Sequence, residues 1–235
     1  MLGDHTNFAK QLNELQEQLA KIKIPLVITE GKTDIKHIEK ARKKIGISEK
    51  YDTIAPNAQP NGDGDLLKLL QNLARMPQAH KVIGIFDCDS KTTKDITGPY
   101  KDFGNNVYGF KIEPPANRVA NNQTEISIEY LYTDDEIRTE LPNHTRLYFG
   151  TDFSERTGRC KLDDTLSLTN QSDRGKDKIV ENCGGQAVYD AAENNYLAKK
   201  DDFAKAVELD MVPVSDASWE NFRHIFDRIE EIMKL

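Results

Sequence analysis

The chain has 235 residues, of which 37% are hydrophobic and 30% charged, and its formal net charge is −7. That length suits one compact domain, or a core with a smaller appended part, and the composition is that of a polar, water-soluble chain. The acidic balance excludes a simple basic coat for nucleic acid, whose affinity comes from neutralising phosphates. It does not exclude an enzyme in which cations bridge an acidic site to an acidic substrate.

The longest apolar stretches, Ile24–Thr29 and Val82–Phe86, are far too short to span a bilayer. The opening Met1-Leu2-Gly3-Asp4-His5 lacks a basic region followed by an apolar one, so no secretion signal is expected. Cys88, Cys160 and Cys183 are odd in number, widely separated and without a C-x-x-C pair, which argues against a disulfide framework or a zinc knot. The expected compartment is the cytosol.

In chain order, Phe8, Leu12, Leu15, Leu19 and Ile22 recur at steps of three and four, which predicts an amphipathic helix over Asn7–Ile22 capped by Thr6. Ile24–Thr29 reads as a short buried strand. After the turn Glu30-Gly31-Lys32-Thr33 a helix is expected over about Asp34–Ile45, with Ile35, Ile38, Ala41 and Ile45 on one face and Gly46 as its stop. Tyr51–Ala55 is a second candidate strand. Pro56–Gly64 is a loop, and Asp65–Arg75 a leucine-rich helix ended by Met76-Pro77. Lys81–Phe86 is a third strand running into Asp87-Cys88-Asp89, and Asn106–Ile112 a fourth. Glu113–Gln123 reads as a loop, Ile126–Tyr132 as a buried segment and Asp134–Glu140 as a short helix closed by Pro142.

Alternation of helices and strands predicts an α/β fold with a mainly parallel sheet flanked by helices. Beyond His144 the pattern weakens. Arg146–Phe149 is a weak strand candidate, and Thr157–Gln186 is polar and lysine-rich, as in a mobile flap. Helices return at about Lys200–Leu209 and Asp216–Lys234. The expected organisation is an N-terminal helix (1–23), a core (24–142) and a C-terminal extension of flap and helices packing on that core (143–235).

The functional signal lies in where the acids fall. Glu30 directly follows the first strand, Asp34 stands one helical turn further on, and Asp87 and Asp89 end the third strand. In open α/β sheets, sites form outside the carboxyl ends of the strands. Residues two apart on an extended chain point the same way, so Asp87 and Asp89 share a side. If the first and third strands are neighbours, four carboxylates converge. Two carboxylates about 4 Å apart repel by roughly 4 kcal/mol at an effective dielectric near 20. Such a set of hard oxygens suits one or two Mg²⁺ or Mn²⁺ ions better than zinc. Taken singly, each acid has a blander reading: Asp34 as a first-turn acid favoured by the helix dipole, Asp89 as a turn residue.

The apolar strand and acids of Leu26-Val27-Ile28-Thr29-Glu30-Gly31-Lys32-Thr33-Asp34 resemble the first motif of TOPRIM domains, and Val82–Asp89 resembles their second, a strand ending Asp-x-Asp. The resemblance implies a TOPRIM (Rossmann-like) core over about Ile24–Tyr132, a fold shared by topoisomerases, primases, the ribosomal-RNA maturase and the overcoming-lysogenization-defect (OLD) nucleases. The chain is most similar to the OLD type. Ile126–Tyr132 resembles the element that supplies a further acid there, which would be Glu129, and Lys199–Ala204 resembles a late element that would contribute Lys200.

What the resemblance implies is an Mg²⁺- or Mn²⁺-dependent endonuclease acting on DNA in preference to RNA, in phage defence or DNA repair. Glu30, Asp87 and Asp89 would hold one ion, Asp34 and Glu129 would complete a second site, and Lys200 would balance charge on the phosphate. OLD nucleases carry an N-terminal ATPase, but no phosphate loop of the Gly-x-x-x-x-Gly-Lys-Ser/Thr type occurs in this sequence. A separate ATPase partner and self-association therefore stay open as expectations, and no membrane partner is expected. The alternatives are a non-catalytic TOPRIM adaptor and a primase-like nucleotidyl transferase.

Other residues carry weaker signals. Lys176 and Lys178 read equally as phosphate contacts or as a solvated surface. The histidines lack zinc-helix spacing, so structural roles are expected for them.

Overall fold

The computed structural model describes residues 25–48, 51–54, 63–89, 92–181 and 188–235. The helix expected over Asn7–Ile22 lies outside these residues, as does most of the Pro56–Gly64 loop. The fold is α/β, and the chain divides into two compact units. One comprises Met1–Ile128 with Asn221–Leu235, the other Glu129–Glu220.

The first unit is built on five strands: β1 (Leu26–Thr29), β2 (Asp52–Ile54), β3 (Val82–Phe86), β4 (Lys101–Gly104) and β5 (Val107–Lys111). Their order is β2-β1-β3-β5-β4, with β2, β1, β3 and β5 parallel and β4 antiparallel at the edge. Every residue of β1 and β3 is buried, as parallel strands covered on both faces require. Helix α1 (Lys32–Ile45) packs on β1 and β2, while α2 (Asp63–Leu73) packs on β3 and β5. The chain winds from β1 to β2 in one direction and from β2 past β1 to β3 in the other. Right-handed crossovers in opposite directions place the two helices on opposite faces.

One face of the sheet gathers Leu26, Ile28, Val82, Phe86 and Val107 against Leu66, Leu70 and Leu73 of α2. Gly84 lies on the same face, where a Cβ would come within 2.4 Å of Leu70 Cδ1, so any larger residue would require Leu70 to shift. Gly46 ends α1 in the left-handed conformation at φ 78°, as its position in the sequence implies.

The edge strand β4 was not anticipated. It pairs with β5 through a tight turn in which Asn105 and Asn106 both have positive φ, 54° and 65°. Asparagine tolerates that conformation, and it suits a two-residue hairpin. Lys101-Asp102-Phe103-Gly104 is too short and too polar to announce itself as a strand, which is how edges are kept from pairing further. Within the expected loop after β5, Ala116–Ala120 forms a short helix, α3.

The second unit has little regular structure. It contains α4 (Asp134–Ile137), a two-stranded ladder of β6 (Ser167–Leu168) and β7 (Val188–Tyr189), α5 (Lys200–Glu208) and α6 (Asp216–Glu220). Arg146 and Phe149, in the weak strand candidate, make only isolated bridges, to Leu197 and Ile179. The described part of the stretch read as a flap is packed: Cys160, Leu166, Leu168 and Val180 join Tyr148, Phe153, Val188 and Leu197 in one core. Its apolar residues follow neither a period of two nor of 3.6, so periodicity could not find them.

Polar ties complete this unit. Glu136 accepts hydrogen bonds from the Thr133 and Ser215 amides and from the Ser218 hydroxyl. Arg138 donates twice to buried Asp152 and lies over the Phe149 ring. Tyr132 meets Phe203 and Trp219 edge-on.

The single helix expected over Asp216–Lys234 is two. It breaks at Asn221-Phe222, and α7 (Arg223–Met233) belongs to the sheet unit, where Ile225, Phe226, Ile229 and Ile232 are buried. Lys81 donates to the Ile232 carbonyl, and Arg228 pairs with Glu113 at 3.1 Å. Among the described residues no helix is long and apolar enough to cross a membrane.

Candidate functional site

β1 and β3 are direct neighbours in register, with Thr29 opposite Ile85. The residues that follow them, Glu30 and Asp87, therefore emerge together at the carboxyl edge. Chain order diverges here, since β1 feeds the strand on one side and β3 the strand on the other. Such a switch point leaves a crevice outside the strand ends, where ligands of open α/β sheets bind.

The side chains follow that geometry. Glu30 is half-buried and its Oε1 accepts the Asp87 backbone N–H at 3.0 Å. Asp34, in the first turn of α1, accepts the Gly31 N–H on Oδ2 at 2.9 Å and the Thr33 hydroxyl on Oδ1 at 3.3 Å. Asp34 thus closes the N-terminus of α1, the role its blander reading gave it. Thr29, wholly buried, donates its hydroxyl to the Gly31 carbonyl at 2.7 Å and stiffens the same turn. That contribution of Thr29 was not read from the sequence.

Beyond β3, Asp87 and Cys88 are half-buried and Asp89 is exposed. The Cys88 N–H donates to the Ile126 carbonyl at 2.8 Å, and Ile126 is itself buried, so the Asp-x-Asp segment is held at two consecutive amides. Burial, above all, pushes the Cys88 thiol above its ordinary range, with Asp89 and Glu125 adding to the rise and Lys111 opposing it.

The structure brings Glu30 and Asp87 together and sets Asp34 on the adjoining turn. Among the described residues, no three His, Cys, Asp or Glu side chains stand as a ready ligand group for a metal ion. Glu30, Asp34, Asp87 and Asp89 are all carboxylates, the donor type that hard divalent cations take.

Two further residues come together in the second unit. Glu129 lies in a short 3₁₀ turn, Ile128–Leu131, and is buried along with Ile128, Tyr130 and Leu131. Lys200 opens α5, and its Nζ stands 3.3 Å from Glu129 Oε2 and 3.4 Å from Glu181 Oε1. The sequence motifs named Glu129 and Lys200 separately, and their ion pair is a finding of the structure. Glu181 was missed because it falls in the aperiodic stretch. Burial, with Glu129 and Glu136 nearby, raises the Tyr132 hydroxyl well above its ordinary range.

Lys178 is committed to buried Asp173 at 2.5 Å, a structural contact. His224 has a structural place too. Its Nε2 accepts the Glu113 N–H at 2.9 Å while Nδ1 donates to the Asn221 carbonyl at 2.8 Å, which fixes the neutral tautomer. Burial, foremost, lowers its pKa in agreement.

Comparison of the chain with protein-family models gave no match, and comparisons with curated proteins and with solved structures likewise gave none.

Proposed function

We propose that the chain is a TOPRIM-type, Mg²⁺- or Mn²⁺-dependent phosphodiester hydrolase, similar to the OLD nucleases and acting on DNA. One observation carries the reading: the Glu30 carboxylate reaches the Asp87 amide across neighbouring parallel strands, at the switch point of the sheet. An acid after each of two such strands, together with the motif resemblance of Leu26–Asp34 and Val82–Asp89, is what a cation-holding edge requires.

In this reading Glu30, Asp87 and Asp89 would hold the metal, with Asp34 beside them. The chemistry such an ion would supply when bound is activation of a water and stabilisation of charge on the departing oxygen. The chain's own residues supply position. Glu30 orients the Asp87 backbone through its amide, the Cys88–Ile126 hydrogen bond fixes the direction of the next residue, and Asp34 holds the turn that presents Glu30. Sequence resemblance alone assigns Glu129 and Lys200 to the nuclease chemistry.

The decisive experiment is incubation of the purified protein with plasmid and Mg²⁺ or Mn²⁺, with and without nucleoside triphosphates. Cutting is the expected result. Primer or strand synthesis in its place makes the chain a nucleotidyl transferase. Neither activity, with tight capture of a partner protein, makes it an adaptor.

A further inference from the structure

We propose that Lys111 is the cation that holds a nucleic-acid phosphate against the acidic edge, a role that rests on the proposed function and that no sequence motif named. The four parallel strands end in Thr29, Ile54, Phe86 and Lys111, and of these Lys111 alone is charged. Register brings it to the acids. Lys111 stands opposite Phe86, and the ladder runs one bond further, the Ile112 N–H donating to the Phe86 carbonyl at 2.9 Å. Paired strands lie about 4.8 Å apart. The Lys111 backbone is therefore directly beside the start of Asp87-Cys88-Asp89.

Strand alternation sets the direction of its side chain. Two residues earlier, a Cβ on Gly109 would meet Phe86, Phe103 and Leu70, which marks the α2 face of the sheet. Lys111 leaves β5 on that same face. Its charge acts there on the Cys88 thiol, opposing the rise that burial causes, and Cys88 is the residue between Asp87 and Asp89.

The fold gives this lysine no ion pair. Val107–Phe110 are buried and Lys111 is half-buried, in a strand with neighbours on both sides. Glu113, two residues on, is taken by Arg228 at 3.1 Å. Among the described residues no carboxylate lies within 4 Å of the Lys111 ammonium. Electrostatics supplies a reason for it. Glu30, Asp34, Asp87 and Asp89 carry four negative charges when ionised, and one divalent ion would leave two. A phosphodiester, itself an anion, would be repelled by the remainder. An ammonium beside the Asp-x-Asp segment offsets that repulsion and donates to a non-bridging phosphate oxygen.

The test is thermal melting of the full chain in Mn²⁺, titrated with thymidine 5′-monophosphate. This probe carries the phosphate and has no phosphodiester to cut, so the readout does not depend on nuclease activity. The nucleotide should raise the wild-type Tm beyond the value in Mn²⁺ alone. Lys111→Gln should weaken the apparent affinity by roughly tenfold or more, as loss of one charge-assisted hydrogen bond implies. Lys111→Met, which keeps an apolar stem for packing, should do the same, and Lys111→Arg should recover most of the loss. Lys68→Gln removes an exposed lysine of α2 with the same change in net charge and should match the wild type.

Melting without ligand separates loss of fold from loss of binding. Equal loss in Lys68→Gln would reduce the effect to net charge and overturn the assignment. So would an unchanged response in the Lys111 variants, or a wild type indifferent to the nucleotide. Plasmid cutting by the same proteins keeps the two readings apart. Cutting that is as fast without Lys111 as with it leaves the hydrolase standing and overturns the role of Lys111. A nucleotide response that depends on Lys111, in a protein that cuts nothing, supports the phosphate-holding role and removes the hydrolase.

Discussion

The Glu30 carboxylate accepts the Asp87 amide at 3.0 Å, although the two residues are far apart in sequence and end different strands. The contact exists because β1 and β3 are parallel neighbours in register. It couples the first acid of the edge to the segment that carries the next two.

Substitution should separate the structural from the chemical role of these acids. Glu30→Gln keeps an acceptor for the Asp87 amide, whereas Glu30→Ala leaves that amide without it, at a cost of about 1–3 kcal/mol. Both variants, and Asp87→Ala and Asp89→Ala, should lose plasmid cutting. Asp89→Ala should remain folded by circular dichroism, because the side chain lies outside the core. Full cutting by the Asp87 or Asp89 variant would remove the two-motif assignment.

Metal should stabilise the protein by binding the native state preferentially. At a hundredfold excess over the dissociation constant the gain is about 2.7 kcal/mol. A thermal melt with and without Mn²⁺ measures it, and Glu30→Gln and Asp87→Asn should each diminish the rise in Tm. A wild-type Tm indifferent to millimolar Mn²⁺ counts against a metal at this edge.

The ion pair of Lys200 with buried Glu129 predicts coupled effects. Lys200→Met leaves the Glu129 charge without its ammonium, and a hydrogen bond to a charged group contributes about 1.5–3 kcal/mol. Adding Glu129→Gln removes that charge, so the double variant should lose less stability than the two single variants sum to. Additive losses would show the two side chains to be independent. Plasmid cutting by the same variants tests their assignment to the site, with each single variant expected to be impaired.

Acid should weaken the anchorage of α7 through His224. Burial lowers its pKa from the ordinary 6.5, so the folded state favours the neutral ring. Its contribution to stability is complete above about pH 6.5 and is lost as pH falls through the depressed folded value. Protonation also replaces the acceptor that the Glu113 amide uses. Tm measured from pH 8 down to pH 5 should fall less steeply in His224→Gln than in the wild type, and identical profiles would rule His224 out as a source of the pH dependence.

What the sequence determined by itself was local. Apolar runs of strand length, leucines at helical spacing and the stop at Gly46 located β1, β2, β3, β5, α1, α2 and α5, since each is encoded by neighbours in the chain. The positions of Glu30, Asp34, Asp87 and Asp89 relative to strand ends were legible for the same reason.

Tertiary structure alone decided the rest. Strand order β2-β1-β3-β5-β4, and hence the meeting of Glu30 with Asp87, depends on crossovers that no local period records. Edge strand β4 exists by pairing with β5 and has a single apolar residue, Phe103, too little to betray it. The division of the last helical stretch into α6 and α7 follows packing of its two halves in different units, while their residues keep one helical period throughout. Glu129 and Lys200 could be named from motifs, but their pairing required a fold in which a buried turn and the start of α5 come together. Contacts between distant segments are selected by the sum of burial and hydrogen bonding over the whole chain, and that sum is not written in any single stretch of it.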